Sequence, residues 1–254
     1  MDGSAIFLLC LAAFAAGTLD AVVGGGGLIQ LPALLLVLPH YPVVQLLGTN
    51  KLAAVAGTGS AAVTYSRRID VHRPTAVRMC VAAFVGSALG ALLATVAGSS
   101  VLRPVVLVAL AAVWLYTLRR PALGEVEALR LTPRVQTAVA VSGGLLIGLY
   151  DGFVGPGTGS FLVFLLVGVV GLSFLHASAT AKAVNTMTNL AALLLFGLGG
   201  HVLWGLGAAM AACNLTGSQI GTRLALRRGS AWVRRVFLVV VAALIVRLAY
   251  DVLL

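Results

Sequence analysis

Four ionisable side chains lie deep within apolar stretches of this chain, and they fall into two sets with one spacing: Asp20 and Asp151, Lys51 and Lys182, each 131 residues apart. The same interval relates Gly17 to Gly148, Gly24 to Gly155, Gly26 to Gly157, Thr49 to Thr180, Gly86 to Gly217, Ser87 to Ser218 and Gly90 to Gly221. A register kept that long without a gap marks a duplicated chain. Each half carries one acid and one base that its apolar surroundings must pair, neutralise or hydrate.

Those surroundings place the chain in a bilayer. Only 9% of its residues are charged and 60% are hydrophobic, against about 25% charged in a soluble domain. A membrane-spanning helix needs about 20 apolar residues, and apolar runs lie near residues 5–23, 43–64, 75–97, 101–118, 135–150, 160–196, 203–222 and 233–254. The expected fold class is therefore an all-α polytopic membrane protein. The first run is read as a retained helix, because MDGSA has no basic n-region and no small-residue cleavage site precedes Asp20. Cys10, Cys80 and Cys213 lie in apolar runs without CxxC spacing, which supports neither a disulfide framework nor zinc and suggests buried spectator thiols.

The net charge of +10 does not point to nucleic acid. Most of the 17 Lys and Arg fall in three clusters: Arg67, Arg68, Arg73 and Arg78; Arg119, Arg120, Arg130 and Arg134; Arg223, Arg227, Arg228, Arg234 and Arg235. Short basic loops beside membrane segments face the cytoplasm, with anionic lipid headgroups as the partner they imply.

The halves are expected at 1–118 and 135–254, joined by a basic polar linker over 119–134, RRPALGEVEALRLTPR. The loop near 65–74 is basic while its counterpart near 197–203 has no Arg or Lys, and the contrast reverses at the next loop. Matching loops on opposite sides are the mark of two inverted-topology repeats of about four helices each, a transporter plan with the site between the repeats near the midplane. Alternating access is then expected from one repeat moving against the other. Inversion needs an odd number of crossings, so one segment per half should be broken or re-entrant. VVGGGG at 22–27 and FVGPGTG at 153–159 are the candidate breaks, since each interior helical glycine costs about 1 kcal/mol against alanine and irregular backbone at membrane depth occurs where it lines protein or a cavity.

Helices restarting near Leu28 and Ser160 would turn their amide ends toward the breaks, where an anion is favoured. Lys51 in LGTNKLAA and Lys182 in SATAKAVN add full positive charges, and Asp20 and Asp151 accept a proton or counter the lysines when the site is empty. The expected substrate-binding set is Lys51, Lys182, Asp20, Asp151, Gly25, Gly26, Gly27, Thr49, Asn50, Gly157, Thr158, Gly159, Thr180, Asn185 and Asn189, with Thr58 and Thr186 adding hydroxyls. Asp20 with Lys51, and Asp151 with Lys182, should meet beside the breaks. A purely structural salt bridge within each half is the alternative. Gly86, Gly90, Gly217 and Gly221 have the spacing of close helix packing. Tyr65, Trp204 and Trp232 suit the interfacial aromatic belt, and His176 and His201 sit at segment ends. GPGTGS lacks the GK[ST] ending and preceding strand of a phosphate loop, and no hydrolase or metal motif appears, so neither an enzyme, a catalytic residue, a metal nor a cofactor is expected.

GTLDAVVGGGGLIQLPALL, LGTNKLAAVAGTGSAAVTYSRR and GLYDGFVGPGTGSF resemble the sulfite exporter TauE/SafE family, also called the TSUP permeases, and most closely its YfcA-like branch. The resemblance covers essentially the whole chain, including NLAALLLFGLGGHVLWGLG and GTRLALRRGSAWVRR. It implies a prokaryotic inner-membrane protein of about eight helices in two repeats that moves sulfur-containing or other organic anions. The expected function is a secondary transporter for sulfite, sulfonate or thiosulfate, with a proton or sodium as coupling ion; an anion channel and a non-transporting scaffold are the alternatives. Gly- and Ala-rich faces permit a homodimer.

Overall fold

The computed structural model describes residues 3–71, 73–97 and 131–253. The apolar run near 101–118 and the linker as far as residue 130, with Arg119, Arg120 and Arg130, lie outside the described residues. The first half contains α1 (Gly3–Val23), α2 (Gly27–Val37), α3 (Val43–Ser66) and α4 (Arg73–Val96). The second contains α5 (Pro133–Phe153), α6 (Thr158–Leu165), α7 (Phe174–Leu198) and α8 (Trp204–Leu253), the last kinked at Gly229. Adding 131 to the starts of α2, α3 and α4 gives the starts of α6, α7 and α8, so the duplication extends to the elements themselves.

Glycine and proline set the boundaries. α1 closes when the Gly24 amide bonds the Asp20 carbonyl at 2.8 Å, and Gly24 then turns left-handed at φ +80°, a conformation open to glycine. α2 stops before Pro39, whose missing N–H and restricted predecessor end a helix. At 11 residues it reaches about 16 Å, half a membrane. The run at 160–196, expected as one stretch, is two elements. α6 continues through a π turn over Leu166–Val170, Gly171 goes left-handed at φ +92°, and Ser173 caps α7 by accepting from the His176 amide at 3.4 Å. The runs at 203–222 and 233–254, expected as two, lie on either side of Gly229, whose left-handed, non-helical backbone (φ +73°) divides α8 into two helical parts.

Matching helices run in opposite senses. The start of α3 lies against the end of α7, with Gly48 beside Phe196 and His201, while Thr58 meets Asn189 and Gly59 meets Thr186 farther along. Thr58 and Asn189 are themselves 131 residues apart, so the pseudo-twofold passes near their 3.5 Å hydrogen bond. The axis recurs elsewhere. Ser87 Oγ donates to the Thr188 carbonyl and its counterpart Ser218 Oγ donates to the Gly57 carbonyl, both at 2.7 Å.

Packing regroups the halves. α4 lies parallel to α5, with Gly144 at Met79, Gly148 at Ala83 and Gly152 at Ser87; α1 lies parallel to α8, with Gly217 at Phe14 and Gly221 at Thr18, and Gly17 rests on Asn214. Gly86 and Gly90 meet the Leu145 and Leu149 carbonyls, and Gly217 and Gly221 those of Phe14 and Thr18, which is the close packing their spacing suggested. α3 packs along α8 and α4 along α7, which groups α1, α2, α3 and α8 as one body and α4, α5, α6 and α7 as the other, with α3 packed on α7 as extensively as α4 is. Each body combines helices of both repeats, and the two meet chiefly where α3 crosses α7.

These directions gather the described basic residues at one end. Arg67 and Arg68 follow α3, Arg73 and Arg78 open α4, Arg134 opens the parallel α5, and Arg223, Arg227 and Arg228 lie on α8 level with the end of α3; all are exposed. Arg78 donates to Thr137 Oγ1 at 2.9 Å, tying α4 to α5 at that end. Polarity is otherwise inside out. Lys51, Lys182, Gln30 and Thr188 are buried, whereas Phe7 and Leu36 are 70% exposed and Leu146 is 65% exposed, as a lipid-facing shell requires. Among the described residues α1, α4 and α7 are long and apolar enough to cross a membrane. Tyr65 is not interfacial: it is fully buried and its hydroxyl donates to the Ala21 carbonyl at 3.0 Å. The three cysteines are free and half-buried.

The glycine seams carry a stability prediction. A Cβ at Gly148 would lie 2.8 Å from the Ala83 Cα, so Gly148→Val should cost about 1–3 kcal/mol, read as a lower thermal midpoint in detergent. Gly205 has nothing within 4 Å, and Gly205→Ala should leave the midpoint unchanged or higher.

Candidate functional site

The buried Lys51, Lys182 and Asp151 and the partly buried Asp20 meet between the two bodies, but with partners exchanged. Lys51 Nζ on α3 donates to Asp151 Oδ2 on α5 at 2.6 Å, and Lys182 Nζ on α7 donates to Asp20 Oδ2 on α1 at 2.7 Å. The expected pairings within each half are therefore corrected, as is the structural alternative that relied on them. The reason is topological. Equivalent helices point in opposite directions, so each lysine faces the first helix of the other repeat. Both bonds join one body to the other.

The two pairs are held differently. Asp20 Oδ1 also accepts the Gly26 amide at 3.2 Å, so the carboxylate beside the start of α2 is the protein's own, where the partial positive charge favours it. Asp151 has Lys51 as its hydrogen-bond partner among the described residues, and both side chains are 2% exposed. Neither charge can be left alone there, because an uncompensated buried ion is costly.

The two breaks touch at the same place. The Gly24 and Gly159 backbones pack so closely that a Cβ on either would overlap the other, and the Ser160 amide donates to the Gly24 carbonyl at 3.1 Å. The helix-end amides expected to face a ligand are largely engaged. Leu28 donates to Gly25, Ile29 and Gln30 to Gly26, and Phe161 to Gly157.

Around these groups lies a cavity of about 30 Å³, room for a water molecule or two. Lys51, Asp20, Asp151, Gly26 and Gly27 line it, together with Gly157, Thr158, Gly159, Asn50, Asn185 and Asn189. The other expected residues stand back from it. Lys182 lies behind Asp20, and Gly25 is buried outside the lining. Thr49 Oγ1 bonds the Gln45 carbonyl at 2.7 Å and accepts the Leu203 amide at 3.0 Å, while Thr180 Oγ1 bonds the His176 carbonyl at 3.0 Å. Both threonines serve the chain's own backbone.

Thr58, Gly24 and Gly155 also line the cavity, as do Gln30 and Asn214, which sequence reasoning missed. Asn214 Nδ2 donates to Gln30 Oε1 at 2.7 Å, and Gln30 Nε2 to the Asn50 carbonyl at 3.3 Å. The available signal was a single amide in the apolar run LIQLPALLL, the sort of intramembrane polar residue that warrants a functional hypothesis. Asn189 Nδ2 bonds Thr58 and Asn185 Oδ1, each at 3.5 Å. Asn50 Oδ1 is buried without a hydrogen-bond partner among the described residues. The lining thus offers one ammonium group, two carboxylates and a ring of amides. Among the described residues no cluster of His, Cys, Asp or Glu could hold a metal.

Comparison with known proteins gives a consistent picture. Residues 9–248 match the family model for the sulfite exporter TauE/SafE. The chain is 39% identical over 244 residues to a probable membrane transporter protein, ORF9, of Sinorhizobium sp., covering 96% of this chain and 92% of the relative. It is 36% identical over 244 residues to the probable membrane transporter protein YfcA of Escherichia coli K12, covering 96% and 89%. A probable membrane transporter protein of Haemophilus influenzae is 35% identical over 248 residues, covering 96% and 94%. No solved structure matches.

The exchanged pairing is testable by charge reversal. Lys51→Asp alone sets two carboxylates together and should cost at least the 3–5 kcal/mol typical of a broken buried pair, read as loss of monodisperse protein in detergent. Adding Asp151→Lys should restore it, whereas adding Asp20→Lys should not.

Proposed function

The chain belongs to the sulfite exporter TauE/SafE family, and on that premise we propose that it is a secondary transporter for a small anion, sulfur-containing species such as sulfite, sulfonates and thiosulfate being the first candidates. The observation that carries this reading is Lys51: a fully buried ammonium group that lines a cavity and whose counter-charge, Asp151, sits on the opposite body.

A cavity of about 30 Å³ accepts at most a water or two, so an anion enters only as the bodies part. On arrival it replaces Asp151 as the partner of Lys51. The charges of Lys51, Lys182, Asp20 and Asp151 sum to zero, so a bound monoanion, such as a sulfonate or hydrogen sulfite, leaves one excess negative charge in a low-dielectric site. A proton on Asp151 removes it at the carboxylate that has just lost its partner. The coupling ion in this reading is a proton, and the amide-lined site is exposed to each side in turn.

The moving units in this reading are the two bodies, not the two repeats, because the glycine seams lock α1 to α8 and α4 to α5. With the described basic end facing the cytoplasm, the protein lies in a prokaryotic inner membrane with its matching helices inverted. A homodimer is compatible with this arrangement but takes no part in it.

Counterflow in proteoliposomes tests the proposal. Trapped unlabelled sulfite or thiosulfate should accelerate uptake of the labelled anion, and an acidic exterior should raise it further. Uptake indifferent to trapped anion would indicate a channel, and no uptake of any candidate anion would leave a scaffold.

A further inference from the structure

The duplicated lysines are equivalent by register but not by surroundings. Around Lys51 lie Gln30, Asn50 and Asn214, each at most 4% exposed. Moving each by 131 residues gives Phe161, Ala181 and Ala83, all apolar and none lining the cavity. Phe161 instead packs edge-on against Tyr150, with ring centroids 5.4 Å apart. The second half brings its own Thr158, Asn185 and Asn189 to the lining, but its lysine is not there, so the two walls of the cavity are polar in different ways and only one carries an ammonium group.

The ion pairs follow the same division. Lys51 and Asp151 both line the cavity, and among the described residues Asp151 has no second donor. Lys182 lies outside the lining, and its partner Asp20 is fixed by the Gly26 amide as well. Asn50, the residue before Lys51, presents a buried oxygen with no partner among the described residues. A buried polar atom left unsatisfied loses free energy unless something fills its place. An amide oxygen accepts, so the candidate is a hydrogen-bond donor on a bound solute, such as the hydroxyl of a hydroxysulfonate, and not a bare oxyanion.

We propose that the protein has a single, asymmetric anion site, in which Lys51 binds the charge, the amides of Gln30, Asn50 and Asn214 contact the remainder of the anion, and Lys182 with Asp20 is a fixed latch that never binds substrate. All four binding residues belong to the body containing α1, α2, α3 and α8, so the anion stays with that body while Asp151 departs with the other. This inference rests on the transporter reading and narrows it to one anion per protein, with the two lysines in different roles.

Equilibrium binding of labelled sulfite, thiosulfate and isethionate to the purified full chain tests it. Each ion pair is removed as a unit, so that no buried charge is orphaned: Lys51→Met with Asp151→Asn, and Lys182→Met with Asp20→Asn. The first should weaken binding by about tenfold or more, and the second should leave affinity within about threefold, the range of a lost indirect contact. Asn50→Ala serves as the folding-safe variant. Because its side-chain oxygen bonds nothing among the described residues, its thermal midpoint should be unchanged while affinity for isethionate, whose hydroxyl can donate to it, falls by about tenfold and affinity for thiosulfate, which has no donor, does not. Equal losses from the two pair removals, or unchanged isethionate affinity in Asn50→Ala, would overturn the asymmetric site but leave an anion transporter standing. Failure of wild type to bind any of the three anions would overturn both readings.

Discussion

Two lysines and two aspartates buried in an apolar bundle have to find one another, and the way they do so determines much of the rest. A lone charge in such a setting costs several kcal/mol, and each ammonium group here lies within 2.7 Å of a carboxylate. The bonds run crosswise, from each repeat to the other. Neither half can therefore satisfy its own charges, and the site exists only when both halves are folded together. Electrostatics thus enforces at the centre what the glycine seams enforce at the periphery.

Those seams also decide what can move. A helix pair in which backbone meets backbone, as at Gly148 on Ala83 or Gly17 on Asn214, leaves no room to slide without overlap. Contacts between the bodies are mixed: backbone meets backbone at Gly24 on Gly159 and at Gly48 on His201, and beside these stand two ion pairs, the Ser160 to Gly24 bond and the long Thr58 to Asn189 bond. Among the polar contacts, the Lys51 to Asp151 pair has both its members in the cavity lining, where a solute can take the place of either.

Much of this was legible in the sequence because duplication and membrane solvation both leave simple marks. The 131-residue interval announced equivalent elements, and the glycine runs announced breaks that no continuous span tolerates. The partner exchange was not legible, since a repeat interval says which residues are equivalent and nothing about which are adjacent. Thr49 and Thr180 were read as ligand groups because they flank the lysines, but helical geometry turns their hydroxyls to the carbonyls four residues back. Gln30 and Asn214 escaped notice for the opposite reason. They have no polar counterpart in the other half, so a reading built on symmetry passed over them.

The central claim is that the charges couple two bodies whose membership cuts across the repeats. Spin labels placed in a cysteine-free background at exposed Leu11 of α1, Leu92 of α4 and Arg227 of α8 address it by pulsed electron resonance distances. Leu11 and Leu92 share a repeat but not a body, while Leu11 and Arg227 share a body but not a repeat. On adding a transported anion, the Leu11 to Leu92 distance should change while Leu11 to Arg227 stays fixed. A fixed Leu11 to Leu92 distance with a changing Leu11 to Arg227 distance would mean that the repeats move as units, and would contradict the account.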